Sequence, residues 1–179
     1  MSVSVATTVR ILGLDPGSRR TGFGVIECRG QTLVSIAHGC LNVADAAPAA
    51  RLRLIFELLR ELLLVHTPGE VAVERVFVSR NPDSALKLGQ ARGAALCAIP
   101  DGVPVFEYAP RAVKLAVVGS GAAEKFQVAH MIRALLAHTD RPGADAADAL
   151  AVAVCHAHAR RRQVLVQGAD AARLAGGRR

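Results

Sequence analysis

Hydrophobic positions along the chain follow two periodicities that alternate in blocks. Arg10 to Asp15 (RILGLD) is a short apolar run ending in an acid, and the turn cluster PGSRRTG follows it. Phe23 to Cys28 (FGVIEC) and Thr32 to His38 (TLVSIAH) repeat such runs on either side of Arg29-Gly30-Gln31. Short strands joined by tight turns predict an antiparallel three-strand meander. From Ala49 to His66 the spacing changes. Leu52, Ile55, Phe56, Leu59, Leu62 and Leu63 recur every three or four residues, with Arg53, Glu57, Arg60 and Glu61 between them. That pattern predicts an amphipathic helix closed by Pro68-Gly69.

Beyond it, strands and helices alternate. Val71 to Val73 reads as a buried strand ending in Glu74. Asn81-Pro82-Asp83 supplies a cap, a first-turn proline and an early acid for a helix reaching about Ile99. Val103 to Glu107 is a further strand, and Arg111 to Val118 a short helix stopped by Gly119-Ser120-Gly121. Ala123 to His138 is helical, DRPG at 140–143 breaks the chain, and Ala144 to Arg161 forms a last, alanine-rich helix. The order predicts an α/β fold: a mixed central sheet, its three-strand meander antiparallel, flanked by helices. Residues 10–161 make one domain, with an N-terminal extension at 1–9 and a loose basic C-terminal tail at 162–179.

Composition narrows the functional classes. Hydrophobic residues make up 51% of the chain but aromatics only 3%, which favours packing through small and branched side chains and argues against an aromatic binding surface. The net charge of +7 is concentrated at the end, where residues 160–179 hold six Arg against Asp170. Such an end suits a polyanion, and equally a solvated tail. The four Cys (Cys28, Cys40, Cys97, Cys155) form no CxxC pair, so a zinc site or disulfide framework is not expected and a reducing compartment is. His156 and His158, two apart on a helix, read as partly exposed non-ligands. The first residues lack a secretory pattern and no apolar run reaches the roughly 18 residues that span a bilayer. A cytoplasmic protein without membrane contact is expected.

Candidate chemistry lies in four acids. Asp15 and Glu74 each end an apolar strand, while Asp145 and Asp148 stand three apart on one helix face. Ala144, Ala146, Ala147 and Ala149 let that helix approach a sheet closely. If the elements converge, four carboxylates repel one another unless divalent cations lie between them; Mg²⁺ takes oxygen ligands and leaves room for water and phosphate. Each acid also has a plainer reading. Asp15 can open the Pro16-Gly17 turn, Glu74 can be a surface acid, and Asp145 and Asp148 can serve the helix dipole.

Four ordered blocks carry a resemblance: LGLDPGSRRTGFGVIE (12–27), VAVERVFVSRNPDSALKLGQARG (71–93), VFEYAPRAVKLAVVGSGAAEK (105–125) and ADAADALAVAVCHAH (144–158). Together they are similar to the RuvC Holliday-junction resolvases over residues 10–158. The resemblance implies a ribonuclease H-like fold, with Asp15, Glu74, Asp145 and Asp148 as catalytic carboxylates holding two Mg²⁺ ions per site, or Mn²⁺ in their place. It implies a homodimer that makes paired cuts in a four-way DNA junction, leaving 5′-phosphate and 3′-hydroxyl ends, beside the branch-migration motor of RuvA and RuvB. Lys114 and Lys125, two of only three lysines, fall in matching blocks, which implies DNA contact for both and charge stabilisation at the scissile phosphate for Lys125. Phe77 would stack on an unpaired base, a core phenylalanine being the alternative, and Arg75, Arg80 and Arg19 would contact phosphates. Ala85, Gly89, Gly93 and Cys97 recur every four residues on the helix that the resemblance assigns to the dimer interface; packing on its own sheet is the alternative. Three rival classes remain: a phosphate motif like that of actin-like kinases, for which the chain is too short; a basic DNA-binding module without catalysis; and a ribonuclease H-like nuclease for another substrate, such as an RNA–DNA hybrid.

Overall fold

A computed structural model of the chain describes residues 8–75, 81–136 and 141–176. Strands β1 (Val9–Asp15), β2 (Arg20–Arg29) and β3 (Thr32–Asn42) are followed by helix α1 (Pro48–His66), strand β4 (Glu70–Glu74) and helix α2 (Pro82–Cys97). Strand β5 (Val105–Tyr108) and helices α3 (Pro110–Val118), α4 (Lys125–Leu135) and α5 (Ala144–Gly176) complete the order. The five strands form one sheet in the order β3-β2-β1-β4-β5. β1 pairs antiparallel with β2 and parallel with β4; β2 and β3 are antiparallel, and β4 and β5 parallel. This is the expected mixed sheet with its meander at one side.

Both faces of the central strands are covered, so β1 and β4 read as continuous apolar runs instead of alternating ones. Leu12, Leu14, Val71 and Val73 point into a core closed by Ile55, Leu59 and Leu63 of α1 and by Ala91 and Ala95 of α2. Ile11, Ile26 and Ala72 point the other way, into a core closed by Val113, Val128, Ile132, Leu150 and the alanines of α5.

The differences from the sequence expectation lie at element ends. β2 starts at Arg20 and β3 runs to Asn42, because Arg20, Thr21 and Gly22 pair with Asn42, Leu41 and Cys40. The cluster that reads as one long turn is therefore partly strand. Helix α5 continues to Gly176 instead of ending at Arg161, over a stretch expected to be loose. Arg161 to Gln167 contains no Gly or Pro to stop it. His156 corrects a second expectation: it is 2% exposed, not partly exposed. Its Nε2 lies 2.7 Å from Glu70 Oε2 and its Nδ1 2.7 Å from the Tyr108 hydroxyl, with Phe106 stacked on the ring. Burial holds its pKa below the usual histidine value. The neutral ring fits the pair when Tyr108 donates to Nδ1 and Nε2–H donates to Glu70.

Helix α5 lies directly on β1 and β2. A Cβ at Gly13 would overlap the Ala149 carbonyl oxygen, and one at Gly22 the Asp145 carbonyl oxygen. These two glycines are where backbone meets backbone. Gly22→Val is expected to push the start of α5 off the sheet and to cost about 1–3 kcal/mol, a Tm loss of a few degrees or more. Thermal unfolding by circular dichroism measures this; an unchanged Tm would contradict the close approach.

Candidate active site

The sheet and α5 bring together acids that are far apart in sequence. Leu14 is in parallel register with Val73, so Asp15 and Glu74, one residue on, leave the carboxyl ends of adjacent strands side by side. That edge of an open α/β sheet is where such folds commonly bind ligands. Asp15 also pairs with Gly22, and Gly22 with Cys40, which sets a row of three residues across β1, β2 and β3. The first turn of α5 passes over this row and delivers Asp145 and Asp148. All four acids are partly buried.

Their electrostatics report mutual repulsion. Burial, then the charge of Asp148, pushes Asp15 up to about 6. Burial, then the charges of Asp15 and Asp148, pushes Glu74 up to about 7. The two carboxyl groups also act on each other directly, and the later of them to ionise meets the charge of the first. Lys125, the first residue of α4, opposes these shifts; its Nζ sits 2.9 Å from Asp148 Oδ2 while its side chain stays 81% exposed. Contact with Asp148 raises the lysine's own pKa.

Asp145 has different company. The Cys40 thiol, 3.3 Å away, donates to its Oδ2, and Arg20 Nη1 lies 3.8 Å from the same oxygen. Burial and the neighbouring carboxylate push the Cys40 thiol up to about 11, so it stays a donor at neutral pH. Neither residue is legible as a partner from the sequence. Cys40 is 105 positions from Asp145, and the strand register across three strands brings it there.

The other expected site residues divide. Arg75 is tied to Glu107, its Nε 3.5 Å from Oε2, and Arg92 shares that carboxylate. Lys114 is partly buried on α3, and among the described residues no ion pair joins it to the four acids. Arg19 is exposed beside β2. Phe77 and Arg80 lie outside the described residues.

Among the described residues, no three His, Cys, Asp or Glu side chains already enclose a point suited to a metal ion. Lys125, Arg20 and Cys40 take up carboxylate oxygens that a cation would use. The donor set nevertheless fits a hard divalent cation. It is all oxygen, it repels itself, and its ammonium partner is exposed enough to move away.

The sequence profile of the family described as Crossover junction endodeoxyribonuclease RuvC matches residues 11–156. The chain belongs to the RuvC family. The Crossover junction endodeoxyribonuclease RuvC of Marinobacter nauticus is 55% identical over 149 residues, which is 83% of this chain and 85% of that one. The protein of the same description from Alkalilimnicola ehrlichii is 52% identical over 163 residues, covering 90% and 99%. Among solved structures, T. thermophilus RuvC in complex with Holliday junction substrate superposes with a TM-score of 0.81 at 36% identity, covering 87% of this chain and 96% of that one. The yeast mitochondrial Holliday junction resolvase Ydc2 shares the fold at a TM-score of 0.63 and 12% identity. The ribonuclease H-like expectation holds.

The raised carboxyl pKa values carry a sign that can be checked. Unfolded, Asp and Glu titrate near 4; folded, Asp15 and Glu74 keep their protons to about 6 and about 7. Between those values the native state binds more protons than the unfolded one, so this pair lowers stability as pH rises. In EDTA, Asp15→Asn should therefore gain Tm relative to the parent chain between about pH 5 and about pH 8. Mg²⁺ should stabilise the parent most at the upper end, where the ligands are deprotonated. Differential scanning fluorimetry reads both effects, and a pH-independent Tm difference would refute the repulsion.

Proposed function

We infer that the chain is a structure-selective DNA endonuclease of recombination and repair, which resolves four-way junctions by paired, metal-dependent phosphodiester hydrolysis. The observation that carries this is the meeting of Asp15, Glu74 and the Asp148–Lys125 pair at one sheet edge, in a chain of the RuvC family. Asp15, Glu74, Asp145 and Asp148 would hold two Mg²⁺ ions, with Mn²⁺ a workable substitute. When bound, the ions supply Lewis-acid stabilisation of phosphoryl oxygens and make water a stronger nucleophile.

The chain's own residues do the rest. Asp15 and Glu74 must be deprotonated before they can act as ligands, and their raised pKa values bring that step close to neutrality. Lys125 leaves Asp148 for the scissile phosphate, where its ammonium offsets developing negative charge. Cys40 and Arg20 hold the Asp145 carboxylate in orientation. The water oxygen bonds to phosphorus as the bond to the 3′-oxygen breaks, which leaves a 5′-phosphate and a 3′-hydroxyl. Phe77, Arg80, Lys114 and Arg19 remain proposed DNA contacts, and Arg75 becomes one on release from Glu107.

A homodimer completes the reading, because paired cuts need two sites. Gly89 and Gly93 lie inside α2, where each costs about 1 kcal/mol against alanine. A Cβ at either would meet nothing within 4 Å in this chain, and Leu86 beside them is 68% exposed. This open face would take a second copy of α2. RuvA and RuvB, as the branch-migration motor, are the further partners proposed. Four free thiols fit a cytoplasmic location, and among the described residues no helix is long and apolar enough to cross a membrane.

Purified protein with Mg²⁺ should nick a synthetic four-way junction at paired positions, well ahead of linear duplex or RNA–DNA hybrid. Asp15→Asn and Asp145→Asn should bind the junction without cutting it, and Lys125→Ala should slow cutting by about 10²–10³-fold. Full cleavage by either asparagine variant would remove the site assignment. Separately, light scattering at micromolar concentration should give a dimer, converted to monomer by Leu86→Glu; a monomeric parent protein would rule the α2 pairing out.

A further inference from the structure

A groove along α4 has no part in the chemistry described so far. It has a volume of about 620 Å³ and lies between the exposed face of α4, the end of α3 at Val118, and Arg141-Pro142. Phe126, His130 and Arg133 stand at helical spacing of four and then three along α4, so they share one face. The opposite face, Val128 and Ile132, is buried in the core. Phe126 is 73% exposed, in a chain with five phenylalanines, and it directly follows Lys125. The residue before Phe126 in the chain, Lys125, is the one whose ammonium touches Asp148.

Among the described residues no carboxylate answers its charge. Arg10, Arg20, Arg29, Arg75, Arg92 and Arg160 each face a carboxylate. Among the described residues, Arg133, Arg141 and His130 have no hydrogen-bonded or ion-paired partner, and no acid lines the groove. The Nε of Arg133 is buried without an acceptor. A flat aromatic face with two guanidinium groups and an imidazole fits single-stranded nucleic acid, where bases stack and phosphates take the positive charge. An acidic peptide would match the charge but leave the exposed ring unused.

We propose that this groove is a second DNA subsite, in which Phe126 stacks on an unpaired base of the cleaved strand while Arg133 and Arg141 hold its phosphates as it leaves the active site. The proposal rests on the resolvase reading for the identity of the strand. The composition argues against an extended aromatic surface; one exposed ring at the right place is enough. α4 is about 15 Å long, which sets how far along the strand the contact can reach.

The test uses the full chain in Ca²⁺, with four-way junctions that carry 5-iodouracil at single positions on either side of the scissile phosphate. Irradiation should cross-link one position to Phe126, identified by peptide mass spectrometry. The cross-link should persist in Phe126→Tyr and vanish in Phe126→Ala. Because the ring is exposed, that truncation should leave the Tm unchanged while raising Kd for the junction about 5- to 150-fold. Arg133→Gln with Arg141→Gln should flatten the salt dependence of binding by about 0.7–0.9 per lost phosphate contact. No cross-link to Phe126 at any position overturns the proposal, whatever happens to affinity. If the parent protein fails to nick junctions in Mg²⁺, the resolvase reading falls instead. The same cross-linking on a duplex with a single-stranded tail then decides the groove separately.

Discussion

Backbone contact between the first turns of α5 and the two strands beneath it is the constraint on which this molecule depends. Side chains usually keep a helix about 10 Å from a sheet, but here Gly13 and Gly22 below and alanines above remove them. The helix settles low enough for Asp145 and Asp148 to reach the level at which β1 and β4 end. Without that descent Asp145 and Asp148 would stand away from Asp15 and Glu74, which the β1–β4 register already sets side by side. The same contact runs on into the core, where Leu150, Ala151 and Ala153 are buried against Ile11 and Ile26. Active-site geometry and stability therefore draw on one interface.

The descent has an electrostatic consequence. Carboxylates pressed together behind a partly buried edge cannot all ionise freely, and Asp15 and Glu74 answer with raised pKa values. Lys125 relieves the opposite side through Asp148, and Cys40 and Arg20 do so for Asp145. Each of these partners is a hydrogen-bond donor set against a carboxylate oxygen. Different chemistry joins Glu70, at the start of β4, to Tyr108 of β5 through His156, a hydrogen-bonded set that ties α5 to both strands.

Much of this was legible in the sequence because it is written in local terms. Period-two and period-three-to-four hydrophobicity marks strands and helices, and the acids at the ends of RILGLD and VAVE are visible as acids closing apolar runs. The i, i+3 spacing of Asp145 and Asp148 fixes their common face without any fold. Other features were hidden because they depend on which strands become neighbours. Cys40 meets Asp145 through a register shared by three strands, and His156 is buried because Glu70 and Tyr108 arrive from two different strands. A histidine two residues from another on a helix gives no sign of that.

The sequence by itself determined the elements, their order, the four acids and the family, since each is set by residues close together in the chain or by matching blocks. Tertiary structure decided how the charges are shared: which acids titrate high, which cation answers which carboxylate, and which arginines face no carboxylate among the described residues. The reason is physical. Hydrophobic periodicity is a property of neighbouring residues, whereas a pKa or an unanswered charge depends on distance through space and on burial, and those exist only once distant segments have packed together.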